Sequence, residues 1–132
     1  MDDWTPVIVL SLVAAAIGLQ LLLRHKALRS RGQSAAPLKS ALPEMDMHET
    51  SLVYCFSPSC GPCKAMLPAI DELAADNPNA HKLDITQHTE LARAIGIRAT
   101  PTTLLIEEGK ISRVILGAKN LKHLRKLMGL AP

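Results

Sequence analysis

The sequence predicts an α/β domain of order βαβαββα, with a central mixed sheet flanked by helices, preceded by one transmembrane helix. An uncharged apolar run lies near the N-terminus, and short β-type runs alternate with helical periodicity from residue 51 onward. The 132 residues suffice for one ordinary domain and a small appendage. We therefore divide the chain into a tail (1–5), a transmembrane helix (6–23), a basic flank and linker (24–50) and a folded domain (51–132).

The apolar run extends from Pro6 to Leu23 without a charged residue. As a helix it is about 27 Å long, close to the thickness of the hydrocarbon core of a bilayer. A cleaved signal peptide is the alternative, because Ala14-Ala15-Ala16 is compatible with a cleavage site. Asp2 and Asp3, however, stand where a signal peptide has positive charge. We therefore predict a retained, single-pass helix that contacts membrane lipid.

The charged residues before this run are all acidic, whereas four basic residues follow it: Arg24, Lys26, Arg29 and Arg31. Positive flanks of membrane helices remain on the cytoplasmic side. The charge pattern thus predicts a protein of the inner (cytoplasmic) membrane whose domain faces the cytoplasm. A domain on the periplasmic face is the alternative.

The remaining elements follow from local patterns. Residues 30–49 contain glycine and proline without a sustained period, which indicates a linker. Four β-type runs predict strands, at Leu52–Phe56, His81–Ile85, Thr102–Glu107 and Ile111–Leu116. Helical spacing predicts one helix from about Pro62, a second at His88–Ile95 and a third capped by Asn120.

Two cysteines lie where the first strand gives way to the first helix, in the run Cys60-Gly61-Pro62-Cys63. A helix N-terminus has unpaired N–H groups and favours an anion, so we predict Cys60 as the thiolate nucleophile. Cys63, one helical turn later, is the predicted resolving thiol. In the active-site loop, Gly61 is expected to permit the tight turn and Pro62 to begin the helix. The redox-active pair itself performs this chemistry, so no cofactor is expected.

Metal binding is the alternative role for these cysteines. A zinc site needs two further ligands, and no second Cys pair or Cys/His pair has suitable spacing. Cys55 extends the pattern to C-x4-C-x2-C, as in plant-type ferredoxins, but a fourth cysteine is missing. We therefore predict no metal site and interpret Cys55 as a small buried strand residue. Nucleic acid is not an expected partner, since the basic residues have no aromatic neighbours.

A second motif, Thr100-Pro101-Thr102, directly precedes the third predicted strand, and here the chain resembles the thioredoxin family. The resemblance covers about residues 51 to 129, and its matching pieces are Leu52-Val53, Cys60-Gly61-Pro62-Cys63-Lys64, Pro68, Gly96-Ile97-Arg98, Thr100-Pro101-Thr102 and Gly117. It implies a cis bond before Pro101, beside the cysteine pair, and a substrate groove in which the backbone of Thr100 pairs with the client chain.

The same resemblance implies an activity, because Cys-Gly-Pro-Cys is typical of reducing members of the family. We expect a protein-disulfide reductase of cell redox homeostasis, which acts on protein disulfides and receives electrons from a reductase or a thiol carrier. A periplasmic relative that serves cytochrome or envelope thiol maturation is one alternative. The other is a non-catalytic module of this fold that binds a metal or a partner.

Three departures from the family pattern accompany the resemblance. Tyr54 stands where thioredoxins usually have a buried aspartate that assists proton transfer at the second cysteine. Ser59 replaces the tryptophan that usually precedes the first cysteine. Because the family's first strand and helix have no counterpart before Leu52, we predict a shortened thioredoxin-like fold.

Overall fold

The computed structural model describes residues 3–27 and 31–131. A membrane-length helix comes first, and the elements that follow alternate as predicted. They are α1 (Thr5–Ala27), a 3-10 helix (Ala36–Ser40), β1 (Ser51–Phe56), α2 (Gly61–Asp76), β2 (Ala80–Asp84), α3 (Thr89–Ala94), β3 (Thr102–Glu107), β4 (Lys110–Leu116) and α4 (Leu121–Leu127). The order βαβαββα is confirmed, and each strand begins and ends within one residue of its predicted bounds.

Helix α1 contains the predicted membrane run and is long and apolar enough to cross a bilayer. Its described side chains, through Leu22, are all exposed, so the folded domain does not cover them. The side chains of Arg24, Lys26 and Arg29, on which the predicted orientation depends, lie outside the described part of the chain. Membrane insertion and its direction therefore remain predictions from the sequence.

The four strands form one mixed sheet in the order β2-β1-β3-β4. β1 is parallel to β2, and β3 is antiparallel to both β1 and β4. Cys55 pairs with Thr102, which in turn pairs with Leu116. The end of β1, the start of β3 and the end of β4 consequently meet at one end of the sheet, which we call the Phe56 end.

Alternate residues of β1 point to opposite faces of the sheet, as strand geometry requires. On one face, Leu52 and Tyr54 belong to a buried cluster with α2 and α4. On the other face, Val53 and Cys55 belong to a cluster with α3. Both faces of the central strand are thus covered, which explains why its sequence is a nearly continuous apolar run.

Residues 31–50, predicted to be a linker, instead pack onto the domain, and we call them the strap. The Gly32 N–H donates to the Ile111 carbonyl (2.7 Å), and the Ile111 N–H donates to the Gln33 carbonyl (2.9 Å). Ser34 forms an isolated antiparallel bridge with Lys110. The strap therefore lies along part of the outer edge of β4.

The strap also supplies part of the core. Ala35, Leu38 and Met45 are fully buried in the cluster on the α3 face of the sheet. The linker prediction is wrong for this part because it relied on periodicity, whereas isolated apolar residues in an irregular segment bury area without repeating. Before β1, the described residues of the strap form one 3-10 helix and one isolated bridge, in agreement with a shortened fold.

Candidate active site

Cys60 occupies the N-cap position of α2, at the Phe56 end of the sheet. Its backbone is extended, and its sulfur accepts the Cys63 N–H at 3.2 Å. Cys60 and Cys63 form a disulfide with their Cα atoms 5.2 Å apart. Cys60 is half-buried, whereas only 2% of Cys63 is exposed. Cys60 is therefore the more accessible of the two cysteines, and the N–H directed at its sulfur would stabilise a thiolate there once the pair is reduced.

The two residues between the cysteines are both exposed and both lie in the first turn of α2. Pro62 stands at the start of the helix, where its fixed φ and missing N–H carry no cost. Gly61 does not have a positive φ, and a Cβ at this position would meet no atom within 4 Å. The turn therefore does not need glycine, contrary to the role predicted for it. Its missing side chain instead leaves the surface beside Cys60 open.

The Thr100–Pro101 peptide bond is cis and directly precedes β3. The Thr102 hydroxyl donates to the Ala99 carbonyl (2.7 Å), and the Gly117 N–H donates to the Pro101 carbonyl (3.0 Å). These bonds hold the loop on both sides of Thr100. Within residues 31–131, the N–H and carbonyl of Thr100 itself have no hydrogen-bond partner. An extended client segment can pair with that free backbone.

Tyr54 lies beneath the cysteine pair, where the family pattern has an aspartate. Its hydroxyl donates to the Cys63 carbonyl at 2.7 Å, and its ring stacks on Phe56 with 5.6 Å between the centroids. Burial raises the pKa of Tyr54, and the nearby carboxylate of Asp71 raises it further. Tyr54 therefore remains a neutral donor at physiological pH, and it supports the backbone of Cys63 rather than its sulfur.

A cavity of about 210 Å³ lies beside Cys63. No carboxylate lines it; the lining residues are Tyr54, Phe56, Ser57, Pro58, Cys63, Lys64 and Leu67. Ser59 is the second departure from the family pattern. It is exposed, and its hydroxyl lies 3.1 Å from the hydroxyl of Ser57. Small hydroxyl side chains therefore stand on the approach to Cys60.

Cys55 is the remaining cysteine, and it lies on the opposite side of the sheet from Cys63. It is fully buried and unpaired, and burial raises the pKa of its thiol to about 12. The interpretation of Cys55 as a buried strand residue is confirmed. Because the sheet separates it from Cys63, the C-x4-C-x2-C spacing does not bring its three sulfurs to a common metal. In the described part of the chain, no three His, Cys, Asp or Glu side chains are grouped to hold a metal ion.

A disulfide across the N-terminal turn of a helix, at the same end of a mixed sheet as a cis-proline loop, defines a thiol–disulfide oxidoreductase of the thioredoxin fold. The thioredoxin family model matches residues 38–129. The chain therefore belongs to the thioredoxin family. This match begins inside the strap, which agrees with the burial of Leu38.

Curated relatives and solved structures agree with this assignment. A thioredoxin of Chlamydia muridarum is 37% identical over 79 residues, covering 58% of this chain and 78% of that protein. Thioredoxin-2 of Pyricularia oryzae is 36% identical over 87 residues, covering 64% of this chain and 49% of that protein, so the chain spans about half its length. The reduced thioredoxin pre-protein of Schistosoma mansoni has a TM-score of 0.60 at 28% identity, covering 70% of this chain and 87% of that one.

Proposed function

We propose that this protein is a membrane-tethered protein-disulfide reductase, with Cys60 as the nucleophile and Cys63 as the resolving thiol. The observation that carries the proposal is the accessible Cys60, whose sulfur accepts the Cys63 N–H at the end of the sheet where the unpaired backbone of Thr100 also lies. A thiolate held at a helix N-terminus is the reactive species in disulfide exchange. The neighbouring Thr100 and Pro101 form the groove that aligns the client.

In the proposed reaction, the Cys60 thiolate attacks one sulfur of a client disulfide. The first client sulfur leaves as a thiolate and takes a proton from water, while the second stays joined to Cys60. Cys63 then loses its proton, attacks the Cys60 sulfur and releases the second client thiol. The client gains two electrons and two protons, and the protein is left with the Cys60–Cys63 disulfide. A thioredoxin-reductase type of enzyme or a dithiol carrier must return the electrons.

Proton transfer at Cys63 distinguishes this protein from relatives with an aspartate at the Tyr54 position. The cavity beside Cys63 has no carboxylate in its lining, and the Tyr54 hydroxyl is bonded to a carbonyl. Water in this cavity is therefore the proposed proton acceptor. We expect the resolving step to accelerate with hydroxide concentration, without a plateau from a carboxylate near neutral pH.

Reduction of insulin disulfides by the full chain in detergent, with dithiothreitol as electron source, tests the proposal. Cys60→Ser should reduce the rate to that of dithiothreitol alone, because the nucleophile is lost. Cys63→Ser should accumulate a stable mixed disulfide with the client. Cys55→Ala is the matched control, which removes a thiol on the other side of the sheet and should retain activity. Inactive wild-type protein that binds stoichiometric metal would instead support the non-catalytic module.

For the tether, we propose a single-pass location in the inner membrane with the domain in the cytoplasm. The exposed apolar surface of α1 and the basic residues that follow it support this arrangement. Reporter enzymes fused after Leu130, one active only in the cytoplasm and one only in the periplasm, test it. Activity of the periplasmic reporter alone would overturn the orientation and favour a role in cytochrome or envelope thiol maturation.

A further inference from the structure

A second cavity, of about 470 Å³, lies between α3 and the segment that leads to Pro101. Its lining combines apolar side chains with polar ones: Ile85, Thr89, Ala92, Arg93, Ile97 and Arg98. Ala92 and Ile97 are buried, whereas Thr89, Arg93 and Arg98 are exposed. The cavity therefore has an apolar floor and a rim with two positive charges.

The two guanidinium groups are available to a ligand. Within residues 31–131, the side chains of Arg93 and Arg98 make no hydrogen bond or ion pair. Arg125 differs, because it is paired with Asp76. No acidic side chain lines the cavity, so nothing in its walls neutralises the two charges.

The cavity also adjoins the proposed client groove. Arg98 is two residues from Thr100, so their Cα atoms are at most about 7 Å apart. A client chain that pairs with the backbone of Thr100 would therefore pass beside the arginine rim. Its neighbouring side chains would lie within reach of the apolar floor.

We propose that this cavity is a client subsite for a peptide segment that carries an apolar side chain and carboxylates next to its disulfide. The proposal rests on the disulfide-reductase function and names its preferred substrates. The apolar floor suits an apolar side chain of a peptide, whereas an inorganic anion has no group that would fill it. The guanidinium groups suit carboxylates, with which they form paired hydrogen bonds. Arg93 and Arg98 thereby determine specificity and take no part in the exchange at Cys60.

Single-turnover reduction of three synthetic disulfide peptides tests the subsite. The peptides carry Leu-Glu-Glu, Leu-Gln-Gln or Leu-Lys-Lys next to one cysteine, and the pre-reduced full chain is used in neutral detergent. We expect the second-order rate constants to rank acidic above neutral above basic. The preference for the acidic peptide should weaken as the salt concentration is raised from about 20 to about 500 mM, because salt in this range screens exposed charges.

Arg93→Gln and Arg98→Gln should each lower the acidic-to-neutral ratio of rate constants by about two- to fivefold, the range expected for an exposed ion pair. The matched control is Arg113→Gln, which removes the same charge from an exposed position on β4, outside the cavity. It should leave the ratio unchanged. Equal effects of all three substitutions, or no acidic preference in the wild type, would overturn the subsite.

Three further outcomes distinguish this proposal from its alternatives. If oxidised glutathione shows the arginine dependence and the peptides do not, the cavity takes a small anionic disulfide and the client assignment is refuted. If none of the three peptides is reduced, the proposed reductase function fails, and the subsite fails with it. Reduction of all three peptides at equal rates refutes the subsite alone.

Discussion

Removing the strap should unfold the domain, although Cys60 and Cys63 lie outside it. Leu38 and Met45 are fully buried, and complete burial of a Leu or Met side chain contributes about 1.5–3 kcal/mol. Their loss alone amounts to about 3–6 kcal/mol, comparable to the 5–15 kcal/mol that typically stabilises a domain. A fragment that begins at Arg31 should therefore fold and reduce insulin, whereas one that begins at Ser51 should not.

Point substitutions test the same reasoning without deletion. We expect Leu38→Ala to lower the free energy of unfolding by about 2–5 kcal/mol, the usual cost of emptying a buried leucine site. Leu116→Ala is the matched control, since Leu116 is 58% exposed, and it should change stability by less than about 0.5 kcal/mol. Urea unfolding of the fragment from Arg31, followed by far-ultraviolet circular dichroism, measures both. Equal urea midpoints for Leu38→Ala and Leu116→Ala would refute the structural role of the strap. So would cooperative unfolding of the fragment from Ser51 at the same urea midpoint as the fragment from Arg31.

Three other predictions concern single side chains. Because burial raises the pKa of Cys55 to about 12, iodoacetamide at about pH 8 should label Cys60 in the reduced native protein and should label Cys55 only in denaturant. Mass spectrometry locates the label, and labelling of Cys55 in the native protein would contradict this prediction. Burial lowers the pKa of His81 below its usual 6.5, although the negative charge of Glu44 acts in the opposite direction. The His81 side chain therefore binds a proton more readily in the unfolded chain, and the stability of the domain should fall as the pH decreases through 6.5. The urea midpoint should therefore drop between pH 7.5 and 5.5, and by less in His81→Leu; an equal drop in both proteins excludes His81 as the cause. Tyr54→Phe removes the bond to the Cys63 carbonyl and should cost about 0.5–1.5 kcal/mol of stability, and an unchanged urea midpoint would show that this bond contributes nothing.

The elements of the domain were predictable because their signals are local. β-branched and aromatic residues mark β1, β3 and β4. Asn120 caps α4 as predicted, because its side chain accepts the His123 N–H. The position of Cys60 before a helix, and hence its N-cap role, also follows from residues that are adjacent in the chain. Pattern reading succeeds at such places because the favourable contacts are made within a few residues.

Contacts between distant segments were beyond such reasoning. The strap was missed because Ala35, Leu38 and Met45 have no period of their own, and only the sheet face they cover explains their burial. The arginine cavity is a similar case: α3 ends near Ile95, and Gly96, at a φ of +82°, turns the chain so that Arg93 and Arg98 border one space.

By itself, the sequence determined the position of the cysteine pair before a helix, the order of the elements and a helix long enough to span a membrane. Periodicity, capping and Cys-x-x-Cys spacing act over one or two turns, so they can be read directly from the chain. Only the tertiary structure decided that Cys55 and Cys63 lie on opposite sides of the sheet, that Tyr54 bonds to a carbonyl and that the strap belongs to the core. These outcomes depend on which distant surfaces meet, and that is set by packing of the whole domain.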